Sequence, residues 1–341
     1  MAEKMKALVM TGKQEMKMEE RDIPTPKDNE VLIETAYAGI CGTDDALFNG
    51  LPGSADAVPP IVLGHENSGV VKAVGKNVTE FKEGDRVSVD PNIYCGHCFY
   101  CHTGLFEECE NLSAVGVTRD GGLEQYFTAP DTVVYRIPDA ISLKAACSME
   151  PISCGVHTMH IMENIQPHMS ALIIGDGFMA KLFAQLLRAY GIRNITMTGR
   201  HDDLLAKEQK ELKLTHVVNT TKEEIPGDYD IVIEAVGKPE TQEAAVKHTN
   251  PGAQVFMFGV GEPGQTFSMN TYEIFKKQLT VKGSMINPNS FEDTIALLET
   301  GAVEVEPYQA NTISLDQVED VLNKTTPMTG KTVVAVNPNL K

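Results

Sequence analysis

Residues 171–180 read ALIIGDGFMA. A compact apolar run ends in two glycines one residue apart, and a helical pattern, FMAKLFAQLLRAYG, follows at once. A glycine-rich turn carries meaning only in that context, between a strand and the start of a helix. Gly175 permits the tight turn, Gly177 lets a pyrophosphate approach the backbone, and Ala180 keeps helix and sheet close. Phe178 and Met179 complete the stretch, where free N–H groups and the positive end of the helix dipole suit phosphates. The stretch reads as the opening of a dinucleotide-binding unit.

Working outward, NITMT (194–198), a charged helix around 202–212 and HVVN (216–219) come next. YDIVIEAVG (229–237), a helix from about 239 to 248 and AQVFMFG (253–259) complete the alternation. Alternating strands and helices imply a doubly wound parallel sheet. From 5 to 135 the pattern differs: KALVM, EVLIETAYAG, SGVVKAVG, DRVSVDP and EQYFTAP are short β-rich runs broken by Gly and Pro. The tail adds QLTVKGSM (278–285), helices at about 290–300 and 315–324, and a closing strand KTVVAV (331–336). The expected fold class is α/β, a β-rich domain joined to a parallel sheet.

The end of NITMT selects between dinucleotides. Gly199 lies 24 positions after Gly175, near the distance at which a carboxylate binds the adenosine ribose hydroxyls. Here that position has no side chain, and Arg200 follows. A guanidinium pairs well with phosphate oxygens. Gly199 and Arg200, with His201 as a helper, therefore predict NADP(H) over NAD(H). The bland alternative is a surface arginine paired with Asp202 or Asp203.

Four of the seven cysteines fall in CGHCFYCHTGLFEEC, residues 95–109. Thiolates of Cys95, Cys98, Cys101 and Cys109 can close a tetrahedral shell around Zn²⁺ in a structural site. His97 and His102 are surplus to such a shell and read as surface residues. A second constellation is spread over GICGTD (39–44), GHE (64–66) and MEP (149–151). A catalytic zinc takes about three protein ligands and keeps one position open. One thiolate, one imidazole and a carboxylate meet that need.

Composition narrows the classes. The chain has 341 residues, 42% hydrophobic, with 29 basic against 47 acidic residues and a net charge of −18. That surface repels nucleic acid and anionic lipid. No apolar run approaches the ~20 residues of a membrane helix, and MAEKMKALVM lacks the marks of a secretory leader. The expectation is a soluble cytoplasmic protein of about two domains.

With GHE at 64–66, the C-x2-C-x2-C-x7-C lobe and the G-x-G-x-x-A turn in this order, the chain resembles the medium-chain zinc-dependent alcohol dehydrogenases nearly end to end. The EPISCGVH stretch (150–157) is similar to their polyol branch, which includes sorbitol, sugar-alcohol-phosphate and threonine dehydrogenases. The resemblance implies a GroES-like catalytic domain, 1–149 and 286–341, with a zinc lobe at about 91–112. A Rossmann domain would span 150–285. It implies Cys41 and His65 as catalytic zinc ligands, with Glu66 and Glu150 as the remaining ligand and a close exchanging carboxylate; which of the two binds directly stays open. Thr43 matches the hydroxyl that takes the alcohol's proton. Ala46 stands where many relatives carry a relaying histidine, so the proton route would run through Thr43 and water or ribose hydroxyls, or through Glu66 or Glu150.

The nicotinamide end would involve Val236, Phe258, Gly259 and Val260, and Lys331 falls where some relatives place a cation near the cofactor phosphates, a surface lysine being the alternative. Cys154 reads as packing. The loop 46–56, with Phe48, Asn49 and Ser54, shows no phosphate clamp. The implied activity interconverts a secondary alcohol, first a polyol, and its ketone by hydride transfer. Sugar-alcohol phosphates, small secondary alcohols with NAD(H), and a non-catalytic redox sensor are the alternatives. A homodimer or homotetramer is the family expectation, with QLTVKGSM as an edge strand.

Overall fold

The computed structural model describes residues 3–53, 55–326 and 328–340. Ser54 lies outside the described residues. The chain parts into two compact units, one of Met1–Ser153, Asn287–Glu299 and Val305–Lys341, the other of Cys154–Ile286 and Thr300–Glu304.

The second unit is built on a six-stranded sheet. Its order is His216–Asn219, Asn194–Gly199, Ser170–Ile174, Tyr229–Glu234, Thr249–Met257 and Thr280–Gly283, and every pair is parallel. This is the doubly wound sheet that the strand–helix alternation predicts. Ala171 to Ile174 are all buried, as expected where helices cover both faces of a parallel sheet. The helix Phe178–Ala189 turns Ala180, Leu182, Phe183, Leu186 and Leu187 inward. Strand order reverses beside Ser170–Ile174, and in such sheets ligands bind off the carboxyl ends of the strands at that point. Thr280–Gly283 closes the sheet as an edge strand.

The first unit is β-rich. Its largest sheet runs Val134–Arg136, Arg86–Val89, Glu66–Val74, Glu30–Ile40, Thr332–Ala335 and Asn311–Ile313, and Tyr126–Pro130 also pairs with Glu30–Ile40. The closing strand lies antiparallel to the long one, with Thr332 opposite Ile40. One apolar core gathers Ala7, Val9, Phe48, Leu63, Leu123, Val318 and Val334. A second holds Val31, Ile33, Val71, Val87, Phe127 and Val134. The helix expected at 315–324 is shorter, a 3₁₀ turn Leu315–Gln317 followed by Val318–Leu322.

A glycine pair fixes the loop that carries His65. A Cβ on Gly116, at φ +75°, would stand 2.3 Å from the Gly64 carbonyl carbon. Gly64 itself has φ +100°, and its carbonyl accepts the Gly122 N–H at 2.7 Å. Only backbone without side chains packs this closely.

Glu124 is the anomaly of this unit. It is buried, and its Oε2 has no hydrogen-bond partner. Burial pushes its pKa up to about 9, Asp120 adds like charge, and Arg21 opposes both. Arg21 is already paired with Asp120 at 3.2 Å and Glu19 at 3.3 Å. An acid whose folded pKa is raised binds more protons folded than unfolded, so stability falls as pH rises from its ordinary value of 4.5 toward about 9. Glu124→Gln removes this titration. The variant's denaturant midpoint should change less between pH 5 and 9 than that of the wild type, with a gain of about 1–3 kcal/mol at pH 8.

Candidate active site

The long strand Glu30–Ile40 delivers Cys41 to the N-cap of the helix Gly42–Phe48. Its neighbour Glu66–Val74 begins at the opposite position, with Gly39 facing Glu66. That register brings Cys41, His65 and Glu66 together, and one donor atom from each lies within 4.8 Å of the others. Gly39 is required here, because a Cβ would stand 2.0 Å from Glu66 Oε2. His65 and Glu66 are buried, and Glu66 Oε2 has no hydrogen-bond partner.

Two supporting residues flank the set: Asp44, which the sequence did not single out, and Lys331, which it did. Asp44 accepts the Cys41 N–H at 2.9 Å, and its other carboxylate oxygen lies 3.4 Å from His65 Nδ1. It sits at the N3 position of the helix and reaches back to the N-cap, a spacing readable as a capping box. Lys331 is not a surface lysine. It is buried, donates to the Ile40 carbonyl at 3.0 Å and pairs with Glu66 Oε1. Burial alone would lower its pKa, but Glu66 and Cys41 more than offset this and raise it. The pairing of Thr332 with Ile40 sets Lys331 beside Glu66.

The pocket is anionic. Burial lowers the pKa of the His65 imidazole, yet the neighbouring Asp44 and Cys41 carry it well above its ordinary value. A carboxylate, a thiol and an imidazole so arranged suit a divalent cation. Thr43 Oγ1 is 3.9 Å from Cys41 Sγ. Glu150 is buried in the first turn of the helix Met149–His160 but lies outside the 4.8 Å set. Its charge adds to the burial that raises Asp90 to about 7. Ala46 follows Asp45 in the helix and carries no group that could pass on a proton.

Cys95, Cys98, Cys101 and Cys109 form the second convergent set, again within 4.8 Å. The lobe hangs from the two-stranded ribbon Asn92–Ile93 and Ser113–Ala114. Backbone N–H groups point at the sulfurs, as in Cys95 N to Cys109 Sγ at 3.3 Å and Cys101 N to Cys98 Sγ at 3.5 Å. The His97 backbone draws the Cys95 thiol down to about 6, whereas burial pushes Cys101 up to about 12. His97 and His102 are exposed, as expected. Cys147 is buried and Cys154 partly so.

In the other unit the glycine-rich turn has the geometry its sequence implies. Gly175 has φ +118°, its N–H donates to Thr198 Oγ1 at 3.2 Å, and open space surrounds the Gly177 Cβ position. Gly177 caps the helix Phe178–Ala189 without any side-chain hydrogen bond, and the start of a helix suits an anion. Gly199 is buried and Arg200 and His201 are exposed. Asp202, a proposed surface partner of Arg200, is instead held by Asn219 at 2.6 Å and by Lys222. No ion pair of Arg200 occurs among the described residues. Val236 and Val260 are exposed at the strand ends, while the Phe258 ring packs edge-on against Phe183 at 4.8 Å. Gly259 is close-packed, since a Cβ would lie 2.2 Å from Gly237 N. Glu234, unforeseen, is buried and accepts the Val236 and Gly237 N–H groups, each at 2.9 Å.

Two family models match the chain, an alcohol dehydrogenase GroES-like domain over residues 27–139 and a zinc-binding dehydrogenase over 180–300. A sorbitol dehydrogenase from Bacillus subtilis is 30% identical over 332 residues, covering 94% of this chain and 93% of that protein. The chain belongs to the medium-chain zinc-dependent alcohol dehydrogenase family. Its relatives lie in the polyol branch, and its units are the GroES-like and Rossmann folds. A zinc-binding dehydrogenase from Sinorhizobium meliloti, solved with NADP, superposes at TM-score 0.92 with 29% identity, covering 98% of this chain and 100% of that one. An alcohol dehydrogenase from Escherichia coli CFT073, solved with NADH, gives 0.88 with 27% identity over 98% and 99%. No helix among the described residues is long and apolar enough to cross a membrane.

The two donor sets are separable by metal analysis. The wild-type chain should contain about two zinc ions. Cys98→Ser should lose one and unfold at lower temperature, while Cys41→Ser should lose the other with a small change in melting, both read by elemental analysis and calorimetry.

Proposed function

We propose that the chain is an NADP(H)-preferring dehydrogenase that interconverts a secondary alcohol, first a polyol or sugar alcohol, and its ketone. The observation that carries the chemistry is the convergence of Cys41, His65 and Glu66 in a buried anionic pocket with an orphaned carboxylate oxygen. These three residues would hold the catalytic zinc, with Glu150 in reserve as an exchanging carboxylate. Zinc held there would act on the substrate oxygen as a Lewis acid. The nicotinamide cofactor would exchange the hydride.

The chain's own residues divide the remaining work. Asp44 orients the His65 ring. Lys331 neutralises one oxygen of Glu66 and leaves the other directed at the site. Thr43 offers the hydroxyl that takes the alcohol's proton, and because Ala46 has no acid–base group, the route outward runs through Thr43 and water or ribose hydroxyls. Gly175, Gly177, Phe178, Met179 and Ala180 cradle the pyrophosphate, with Val236, Phe258, Gly259 and Val260 at the nicotinamide end. Cys95, Cys98, Cys101 and Cys109 hold a structural zinc, whose thiolates persist in a reducing cytoplasm.

The NADP(H) preference rests on Gly199 and the exposed Arg200, which has no ion pair among the described residues. The sorbitol dehydrogenase likeness supports a polyol over a phosphorylated sugar alcohol, and the 46–56 loop supplies no phosphate clamp. The edge strand Thr280–Gly283, with exposed Tyr272 and Phe275 on the preceding helix, supports a homodimer or homotetramer.

A screen of polyols, polyol phosphates and small ketones with both dinucleotides tests the reading. A polyol with NADP should give the highest kcat/KM, and a preference for NAD would refute the cofactor claim. Thr43→Ala should lower kcat roughly 10²-fold and change the pH profile. Near-full turnover with an unchanged profile would remove Thr43 from the proton route.

A further inference from the structure

The end of the strand Asn194–Gly199 lacks a side chain but does not lack a carboxylate. A Cβ built on Gly199 would stand 2.4 Å from Asp176 Oδ2 and 2.9 Å from its Cγ. The first spacing is the one that separates Cβ from a carboxylate oxygen inside an aspartate side chain. Asp176 thus puts an oxygen as close to that position as an aspartate at 199 would put its own. The two exclude each other, and Leu205 Cδ2, 2.9 Å from the same Cβ position, closes the alternative space.

The arrangement is anchored. Asp176 Oδ2 accepts the Arg200 backbone N–H at 3.3 Å, tying the glycine-rich turn to the strand end. Asp176 Oδ1 has no protein partner among the described residues, and the side chain is partly exposed. Its charge reaches its surroundings, since after burial it adds to what raises the pKa of Glu208 on the neighbouring helix. Lys181 answers Glu208 at 2.9 Å.

We infer that Asp176 is the ribose carboxylate of this site, supplied by the glycine-rich turn instead of the strand end, and that it keeps NAD(H) a working cofactor beside NADP(H). Its free oxygen accepts the adenosine ribose hydroxyls of NAD(H), while its charge opposes a 2′-phosphate. Arg200 does the reverse. The preference proposed above becomes a balance between two opposite charges about one ribose, so it is narrow. This rests on reading the second unit as a dinucleotide-binding unit.

Direct binding tests it, with the purified full chain titrated with NADPH and NADH by fluorescence and calorimetry. Asp176→Asn should weaken NADH about ten-fold and leave NADPH equal or tighter. Arg200→Ala should weaken NADPH by about the same factor and spare NADH. The double variant Asp176→Gly with Gly199→Asp returns the carboxylate to the strand end and should restore NADH binding. If Asp176→Asn leaves the ratio of the two Kd values unchanged, or weakens both alike, while Arg200→Ala shifts it, the inference fails and the NADP(H) reading survives. If the wild type binds neither dinucleotide, both fall together.

Discussion

The ion pair between Lys331 and Glu66 is the interaction around which the first unit is organised. A carboxylate cannot be taken out of water unless something answers its charge, and Glu66 is fully buried. Answering it requires the strand Glu30–Ile40 to be flanked on one side by Glu66–Val74 and on the other by Thr332–Ala335. Register then does the rest, with Gly39 opposite Glu66 and Ile40 opposite Thr332. Three distant stretches end at one spot, and the thiol of Cys41 and the ring of His65 arrive there as consequences of that pairing.

The same economy governs the metal-type sites. In each, the protein supplies donors that are poorly satisfied by one another. Asp44 lies against the His65 ring, and four thiols crowd a lobe held by a two-stranded ribbon. Both sets are arranged for a cation, and without one each stores electrostatic or desolvation cost. The lobe has little else to order it, because its apolar packing is limited to Tyr94, Tyr100, Phe106 and Leu112 around the sulfurs.

What the sequence made legible was local. The strand–turn–helix around GDGFMA, the cysteine spacing and the GHE tripeptide each carry their meaning within a few residues, and the structure brings those residues together. What stayed hidden depends on pairing across the chain. Nothing near Lys331 announces that it will meet a residue 265 positions earlier. Asp44 was visible in principle, three residues after Cys41 at a helix start, but its role needs the ring of His65 from another strand. Gly199 shows the difference most plainly. Its missing side chain was readable, whereas the arrival of Asp176 in the vacated space follows from how a turn folds over a strand end, which one-dimensional spacing does not encode.

The position of the closing strand also bears on how the molecule is made. Synthesis proceeds from the N-terminus, so Cys41, His65 and Glu66 emerge long before Lys331. Until Lys331 and the strand Thr332–Ala335 leave the ribosome, the long strand lacks its second neighbour and Glu66 its counter-charge. The first unit is therefore completed only after the parallel sheet of the second has been made, although Cys41, His65 and Glu66 precede that sheet. A polypeptide cut short before Lys331 would carry Cys41, His65 and Glu66 and still leave the Glu66 carboxylate without the cation that permits burial.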